Sequence, residues 1–285
     1  MLEVRDLWPQ VLVDFLGLSP DHPTVRLLRA VERYLYKRSE RILTLLPGSI
    51  DYLAEKTECR DKIFWLPNGI DLSLVPPPGK PPSNEAFTVM FIGNHGLAYG
   101  LDLLLDAAIL LKREEPHFRV RFRLIGDGPE KRRLQARAKR EGIDTVLFED
   151  PVPKRDIYSL LQEADAFLMM LKDVPVFRRG TSPNKVFDYL ASVRPIIFCG
   201  DASFDYVADA KAGMSVPAGD PRSLAKALTA LARMPAEAHA EMGLSGRRYV
   251  EENFNISKLT AGLEGVLVQV VKDYGSKRLS AVPQK

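Results

Sequence analysis

The stretch Arg179-Gly180-Thr181-Ser182-Pro183-Asn184-Lys185-Val186-Phe187-Asp188-Tyr189-Leu190-Ala191-Ser192 reads as a loop running into a helix. Ser182 suits the N-cap and Pro183 the first helical position, where a missing N–H costs nothing. At about 100° per residue, Lys185, Asp188, Tyr189 and Ser192 share one side of the helix, and Val186, Phe187 and Leu190 the other. The apolar side suits a sheet, while the helix N-terminus, an ammonium and a carboxylate face outward together. Free N–H groups with Lys185 suit a phosphate, and Asp188 suits the hydroxyls of a ribose. Taken alone, the stretch is first of all a surface helix with a solvated lysine and aspartate, so its neighbours decide its meaning.

Working outward, strand and helix alternate. Strands are predicted at 87–92, 119–125, 146–148, 165–171, 195–199 and 213–216, the last an edge strand. Ala166-Phe167-Leu168-Met169-Met170-Leu171 is apolar enough for the centre of a parallel sheet. Helices are predicted at 99–113, from Gly126-Asp127-Gly128-Pro129 to about 142, and at 154–163, 204–210, 221–233, 236–252 and 256–274. Upstream, strands at 2–7, 41–46 and 62–66 and helices at 23–37 and 49–57 make a similar but smaller unit, short of a full doubly wound sheet. Between the two, residues 74–84 carry five prolines and read as a stiff linker. The expected organisation is 1–73, a partial N-terminal unit; 74–84, the linker; 85–235, a Rossmann-like domain; 236–275, helices packing back on the N-terminal part; and 276–285, a disordered tail.

The chain has 285 residues, 46% of them hydrophobic and 27% charged, with a net charge of +3. That composition is a soluble globular protein's, and the charge is too weakly basic to argue for nucleic acid. Cys59 and Cys199 are far apart and suggest neither zinc nor a disulfide framework, so a reducing compartment is the default. No apolar run is long enough to span a bilayer.

In an open parallel sheet, ligands bind beyond the carboxyl ends of the strands. Four features fall there: Gly93-Asn94-His95-Gly96, Gly126-Asp127-Gly128-Pro129, the kinked Glu149-Asp150-Pro151-Val152-Pro153, and Ser182 to Asp188. Each alone is a weak signal that a structural turn also explains. His95 reads either as a phosphate donor or as a cap of its own turn. The run from Lys131 to Arg140 reads as a solvated helix face, Asp165 as the shaper of a helix-to-strand turn, and Trp8 as a packing residue. The four histidines form no metal-ligand pattern, and neither a nucleophile elbow nor a Walker loop is present.

The ordered series Leu66-Pro67-Asn68-Gly69-Ile70-Asp71, Phe91 to Gly96, Leu124 to Glu130, Val152-Pro153, Ala164-Asp165-Ala166, Ser182 to Ala191 with Arg194-Pro195-Ile196-Ile197, and Gly219-Asp220-Pro221 resembles the GT4-type retaining glycosyltransferases of the GT-B fold. Within them it is most similar to the WbuB-like enzymes of bacterial cell-surface polysaccharide synthesis. The resemblance extends to Arg5-Asp6-Leu7-Trp8-Pro9 and runs to about Tyr274. It implies a complete C-terminal Rossmann-like domain plus a partial N-terminal one, the family having about as many residues again ahead of Leu2. It further implies transfer of a sugar from a nucleotide-sugar donor, usually UDP-linked, to a glycan or lipid-linked acceptor at the cytoplasmic membrane face, with no metal or other cofactor. Carried over by residue, Asp188 would hold the ribose hydroxyls. Lys185, with Ser182, Pro183 and Asn184, would hold the diphosphate, Lys185 serving as the catalytic cation. Gly93, Asn94, His95 and Gly96 would border diphosphate and sugar, with Gly126 and Gly128 beside them, and Val152 and Pro153 would meet the base. Gly180 stands where the family's first motif acid would be, and the Arg and Lys of many relatives are absent near Leu97 and Tyr99. The alternative expectation is a non-catalytic or split-enzyme subunit that binds the nucleotide-sugar and needs a partner chain.

Overall fold

The computed structural model describes residues 1–79, 82 and 85–280, of which 274–280 as helix backbone only. A small sheet holds β1 (Leu2–Val4), β2 (Ile42–Thr44) and β3 (Ile63–Trp65), parallel and in that order. Its crossovers are α1 (Gln10–Leu16) with α2 (Pro23–Arg38), and α3 (Ile50–Thr57). The larger sheet holds β4 (Phe87–Ile92), β5 (Val120–Ile125), β6 (Val146–Glu149), β7 (Ala166–Met170), β8 (Ile196–Cys199) and β9 (Gly213–Val216). Its order is β6-β5-β4-β7-β8-β9, every pair parallel, with β9 at the expected edge. The helices are α4 (Asp102–Glu114), α5 (Lys131–Arg140), α6 (Ile157–Leu161), α7 (Asn184–Ala191), α8 (Tyr206–Asp209), α9 (Pro221–Ala232), α10 (Ala236–Asn253) and α11 (Ile256–Ser280).

The strand order reverses between β4 and β7, the switch point where a doubly wound sheet leaves a crevice. The register sharpens this. Val89 pairs with Ala166 and Met90 with Phe167, after which the ladder between these strands stops, although β4 continues to Ile92. The two central strands therefore part just before their carboxyl ends.

Alternation along β4 feeds two cores. Val89 and Phe91 pack with Leu104, Leu134 and Leu228 on one side, and Met90 and Ile92 with Phe187, Val207 and Val250 on the other. A third core, in the N-terminal unit, joins Val4, Tyr36, Ile42 and Leu53 to Val174 and Val176, which follow β7. The larger domain thus inserts the segment ahead of α7 into the smaller unit. Helix α11 returns the same way: Arg41 pairs with Asp273 at 3.0 Å, and Leu259 fills the space over Gly69.

Several expectations need correction. Helix α1 has no counterpart in the sequence reading. In α2, aliphatic residues at helical spacing suggest an inner face of Val25, Leu28, Val31 and Leu35, but Val31 and Leu35 face solvent, while Val25, Glu32 and Tyr36 turn inward and Glu32 accepts from the Tyr52 hydroxyl at 2.9 Å. Helix α11 continues to Ser280, so the tail is not disordered from 276; residues 281–285 lie outside the described ones. In the linker, Val75 is buried and the Gly79 N–H donates to Gln162 Oε1 at 3.0 Å, while 80, 81, 83 and 84 lie outside the described residues. Helix α3 begins at Ile50 rather than 49, and the Ser49 Oγ donates back to Leu46 O at 2.8 Å instead of capping it.

Candidate functional site

A cavity of about 280 Å³ opens at the carboxyl end of β4, between α6 and α7, lined by Gly93, Tyr99, Asn184, Lys185, Asp188 and Tyr189 among others. A cleft of about 610 Å³ shares Tyr99 and Asn184 with it. One wall of that cleft comes from the N-terminal unit, with Arg5, Asp6, Trp8 and Phe15; the other holds Leu97, Phe177, Thr181 and Ser182.

Lys185 lies in the first turn of α7, and its Nζ is covered and has no hydrogen-bond partner. It sits 3.7 Å from the ring centroids of both Phe91 and Tyr99. The rings favour the ammonium, but burial without a counter-ion lowers its pKa to about 7. Gly93 makes room: a Cβ there would stand 3.2 Å from the lysine Nζ, at φ +125°. One helical turn on, Asp188 Oδ1 accepts from the Tyr158 hydroxyl at 2.8 Å, and burial raises the pKa of its carboxyl. A covered cation with no anion and a carboxylate with a second oxygen to spare thus share one crevice.

The start of α7 differs from the sequence reading. The helix begins at Asn184, and Pro183 stands at the cap position with no side chain capping it. Ser182 instead faces the N-terminal unit, where its Oγ accepts the Asn68 N–H at 3.2 Å and its carbonyl accepts from Asn68 Nδ2 at 2.6 Å. Tyr189 turns inward rather than out. Its hydroxyl takes the Ile92 N–H at 2.7 Å, satisfying a strand-end donor that would otherwise be orphaned, and its ring stacks on Phe167 at 4.5 Å.

Other candidates also move. The His95 ring is fully buried near Phe91 and Phe148, and burial, helped by Lys131 and Lys185, holds its pKa down at about 4. A neutral, sealed ring offers no side chain to the cavity. A Cβ at Gly126 would lie 2.0 Å from Gly93 O, and one at Gly128 2.4 Å from Asn94 Oδ1. Those glycines let the β4 and β5 turns press together rather than admit a ligand. The His95 N–H donates to Asp127 O at 2.7 Å across the same contact. Gly96 precedes the single turn Leu97–Tyr99, Val152 is half-buried and Pro153 exposed; none of the three lines the cavity. The basic helix α5 is not simply solvated. Lys131 Nζ donates to the carbonyls of Gly126 and Glu149, each at 2.8 Å, and Arg137 pairs with Asp102, Asp106 and Glu141. Asp165 does shape its turn, taking the Thr88 N–H on Oδ2 at 2.7 Å. Trp8, read as packing, is half exposed in the cleft wall. Sequence reasoning missed Asn68, Phe91, Tyr99 and Tyr158; only the Pro67-Asn68-Gly69 turn offered a signal.

The larger unit is a doubly wound parallel domain with a lysine and an aspartate at its switch point, the place where such sheets leave a crevice. The family model described as glycosyl transferases group 1 matches residues 86–234, and the chain belongs to that family. It is 26% identical over 218 residues to the putative colanic acid biosynthesis glycosyltransferase WcaL of Escherichia coli K12, covering 75% of this chain and 53% of that one. It is 21% identical to the probable glycosyltransferase WbjE of Pseudomonas aeruginosa, covering 90% and 64%. Among solved structures, HepE of Anabaena in complex with UDP is similar in fold, with TM-score 0.73 and 15% identity over 94% of this chain and 72% of that one. Sucrose-phosphate synthase of Thermosynechococcus elongatus gives 0.74 and 18%, over 95% and 68%. The chain thus spans little more than half to two thirds of the length of these curated relatives. No described helix is long and apolar enough to cross a membrane.

Proposed function

We propose that the crevice binds the nucleoside diphosphate of a sugar donor, UDP in the first instance, and that the protein transfers the sugar to a glycan or lipid-linked acceptor in cell-surface polysaccharide synthesis. The observation that carries this reading is Lys185 Nζ, covered and without a counter-ion between the Phe91 and Tyr99 rings, on a side chain that lines the cavity past the end of β4. An unpaired buried cation is costly, and a diphosphate would repair it. Asp188, with one oxygen held by Tyr158, keeps the other for a ribose hydroxyl. The leaving diphosphate would be stabilised by Lys185 and the uncapped N–H groups of α7 without a metal. Retention of anomeric configuration, the GT4-type and WbuB-like assignment, and work at the cytoplasmic membrane face follow from the resemblance.

The acceptor side belongs to the cleft wall of Arg5, Asp6 and Trp8. There β1 pairs only with β2 among the described residues, and α2 leaves Leu27, Val31 and Leu35 exposed one helical turn apart. This open edge and apolar flank would accept further strands and a helix, from polypeptide outside this sequence. Calorimetric titration with UDP tests the donor reading. Micromolar to submillimolar binding that weakens in both Lys185→Ala and Asp188→Ala is expected; no heat at millimolar UDP, or unchanged binding in both variants, would overturn it.

A further inference from the structure

We propose that Asn68, in the turn leaving β3, is a positioning residue for the donor site, its two hydrogen bonds to Ser182 setting the backbone ahead of α7 against the diphosphate. The inference rests on the nucleoside-diphosphate reading of the crevice.

Leu171 and Lys172 are tied to the larger domain, through Cys199 O and Ala98 O, but from Val174 onward the chain between β7 and α7 leans on the N-terminal unit. Val174 and Val176 are buried in its core, and the Phe177 ring packs edge-on to Phe15 at 5.3 Å. The Arg179 guanidinium lies 4.6 Å from the centroid of Tyr52. Gly180, at φ +98°, is so close to the opposing loop that a Cβ would stand 2.9 Å from Gly48 N. Asn68 makes the last tie, donating Nδ2–H to Ser182 O at 2.6 Å and its own N–H to Ser182 Oγ at 3.2 Å. The amide orientation follows from its partner, because a carbonyl accepts only from the nitrogen.

Two residues on, α7 begins with no side-chain cap; the Val186 N–H donates back to Pro183 O at 3.1 Å, which leaves the N–H groups of Asn184 and Lys185 ahead of it. Their aim at an anion depends on where 181–183 are held. Asp188 depends on something else: Tyr158 on α6 and the neighbouring Tyr189, whose hydroxyl is fixed to Ile92. Loss of Asn68 should therefore disturb the phosphate end of a bound nucleotide and spare its ribose end.

The test compares UDP, by calorimetry, with uridine, by ligand-observed NMR titration, on the full chain at fixed pH and ionic strength. Wild type is expected to prefer UDP. Asn68→Ala is expected to weaken UDP by about tenfold, the factor one well-made hydrogen bond supplies, and to leave uridine within about twofold. Asn68→Asp, which keeps a turn-forming side chain but sets an acceptor against the carbonyl, should behave the same and serves if Asn68→Ala fails to fold. Undiminished UDP binding in the folded variants, or equal loss of UDP and uridine, would overturn the assignment, the latter marking a merely structural role. Failure of the wild type to bind UDP, or to prefer it over uridine, would instead remove the reading of the crevice and this inference with it.

Discussion

If Lys185 meets a diphosphate, donor binding must titrate with its ammonium. The group is covered and unpaired, with a pKa of about 7, so about half the unliganded molecules carry the charge at pH 7 and about one in a hundred at pH 9. Only the charged form suits the anion. Binding should therefore weaken by about fiftyfold from pH 7 to pH 9, about 2.3 kcal/mol. The diphosphate itself adds nothing in that range, since a terminal phosphate, with a second pKa of about 6, is already ionised. At pH 7, binding should take up about half a proton per UDP, read from calorimetry in buffers of different ionisation heat. Lys185→Met should weaken UDP at pH 7 and flatten the profile. The unliganded fold carries the opposite sign. The folded pKa lies below the unfolded 10.5, so between pH 7 and about 10.5 the unfolded chain holds more protons and stability rises with pH. Lys185→Met should remove that slope and stabilise the empty protein at pH 7. A wild-type affinity that is flat from pH 7 to 9 without proton uptake, or the same slope in Lys185→Met, would refute the role of this lysine.

Three further predictions probe the surroundings. Asp188→Ala should weaken uridine and UDP by the same factor, about tenfold or more; a loss confined to UDP would place the aspartate at the phosphates. Tyr158→Phe takes the donor from a half-buried carboxylate and should cost about 1 kcal/mol in chemical denaturation, a neutral result showing that the carboxylate finds another partner. Gly126→Ala, with its Cβ driven onto Gly93 O, should cost about 3 kcal/mol or more, whereas Gly142→Ala, at φ +64° with nothing within 4 Å, should cost only about 1 kcal/mol; equal melting shifts would contradict the account of the paired turns.

The larger domain was legible because its strands are continuous apolar runs closed by glycine or proline. The β4 and β9 limits match those expected, and Leu104, Leu105, Ala108 and Leu111 give α4 a buried apolar face at helical spacing. The N-terminal unit was less so. Its strands are three residues long, and in α2 a buried glutamate with a tyrosine partner displaces two aliphatic residues from the inner face. At the crevice, Lys185 and Asp188 stood out because their side chains carry the chemistry. Phe91, Tyr99 and Tyr158 did not, since an aromatic in a strand or helix looks like core until the fold sets it against a charge. Asn68 and Ser182 lie 114 residues apart, and no local pattern encodes such a pair.

Gly180 shows why the crevice is better understood as an anion site than as an acid–base pair. The family resemblance puts a carboxylate at this position, yet the backbone here has φ +98° and a Cβ would sit 2.9 Å from Gly48 N and 3.2 Å from Pro47 Cδ. An acid would need both a strained backbone and a retreat of the Pro47-Gly48 loop, which would in turn pull on Val174 and Val176 in the N-terminal core. A carboxylate at 180 therefore works against the close docking of the two units seen here. With no acid at 180, the carboxylate of α7 is Asp188, which is bound to Tyr158, and no ion pair of Lys185 occurs among the described residues. What the sequence loses as a catalytic group at 180 it retains as an unneutralised cation at 185, held by the same segment that fastens the two units together.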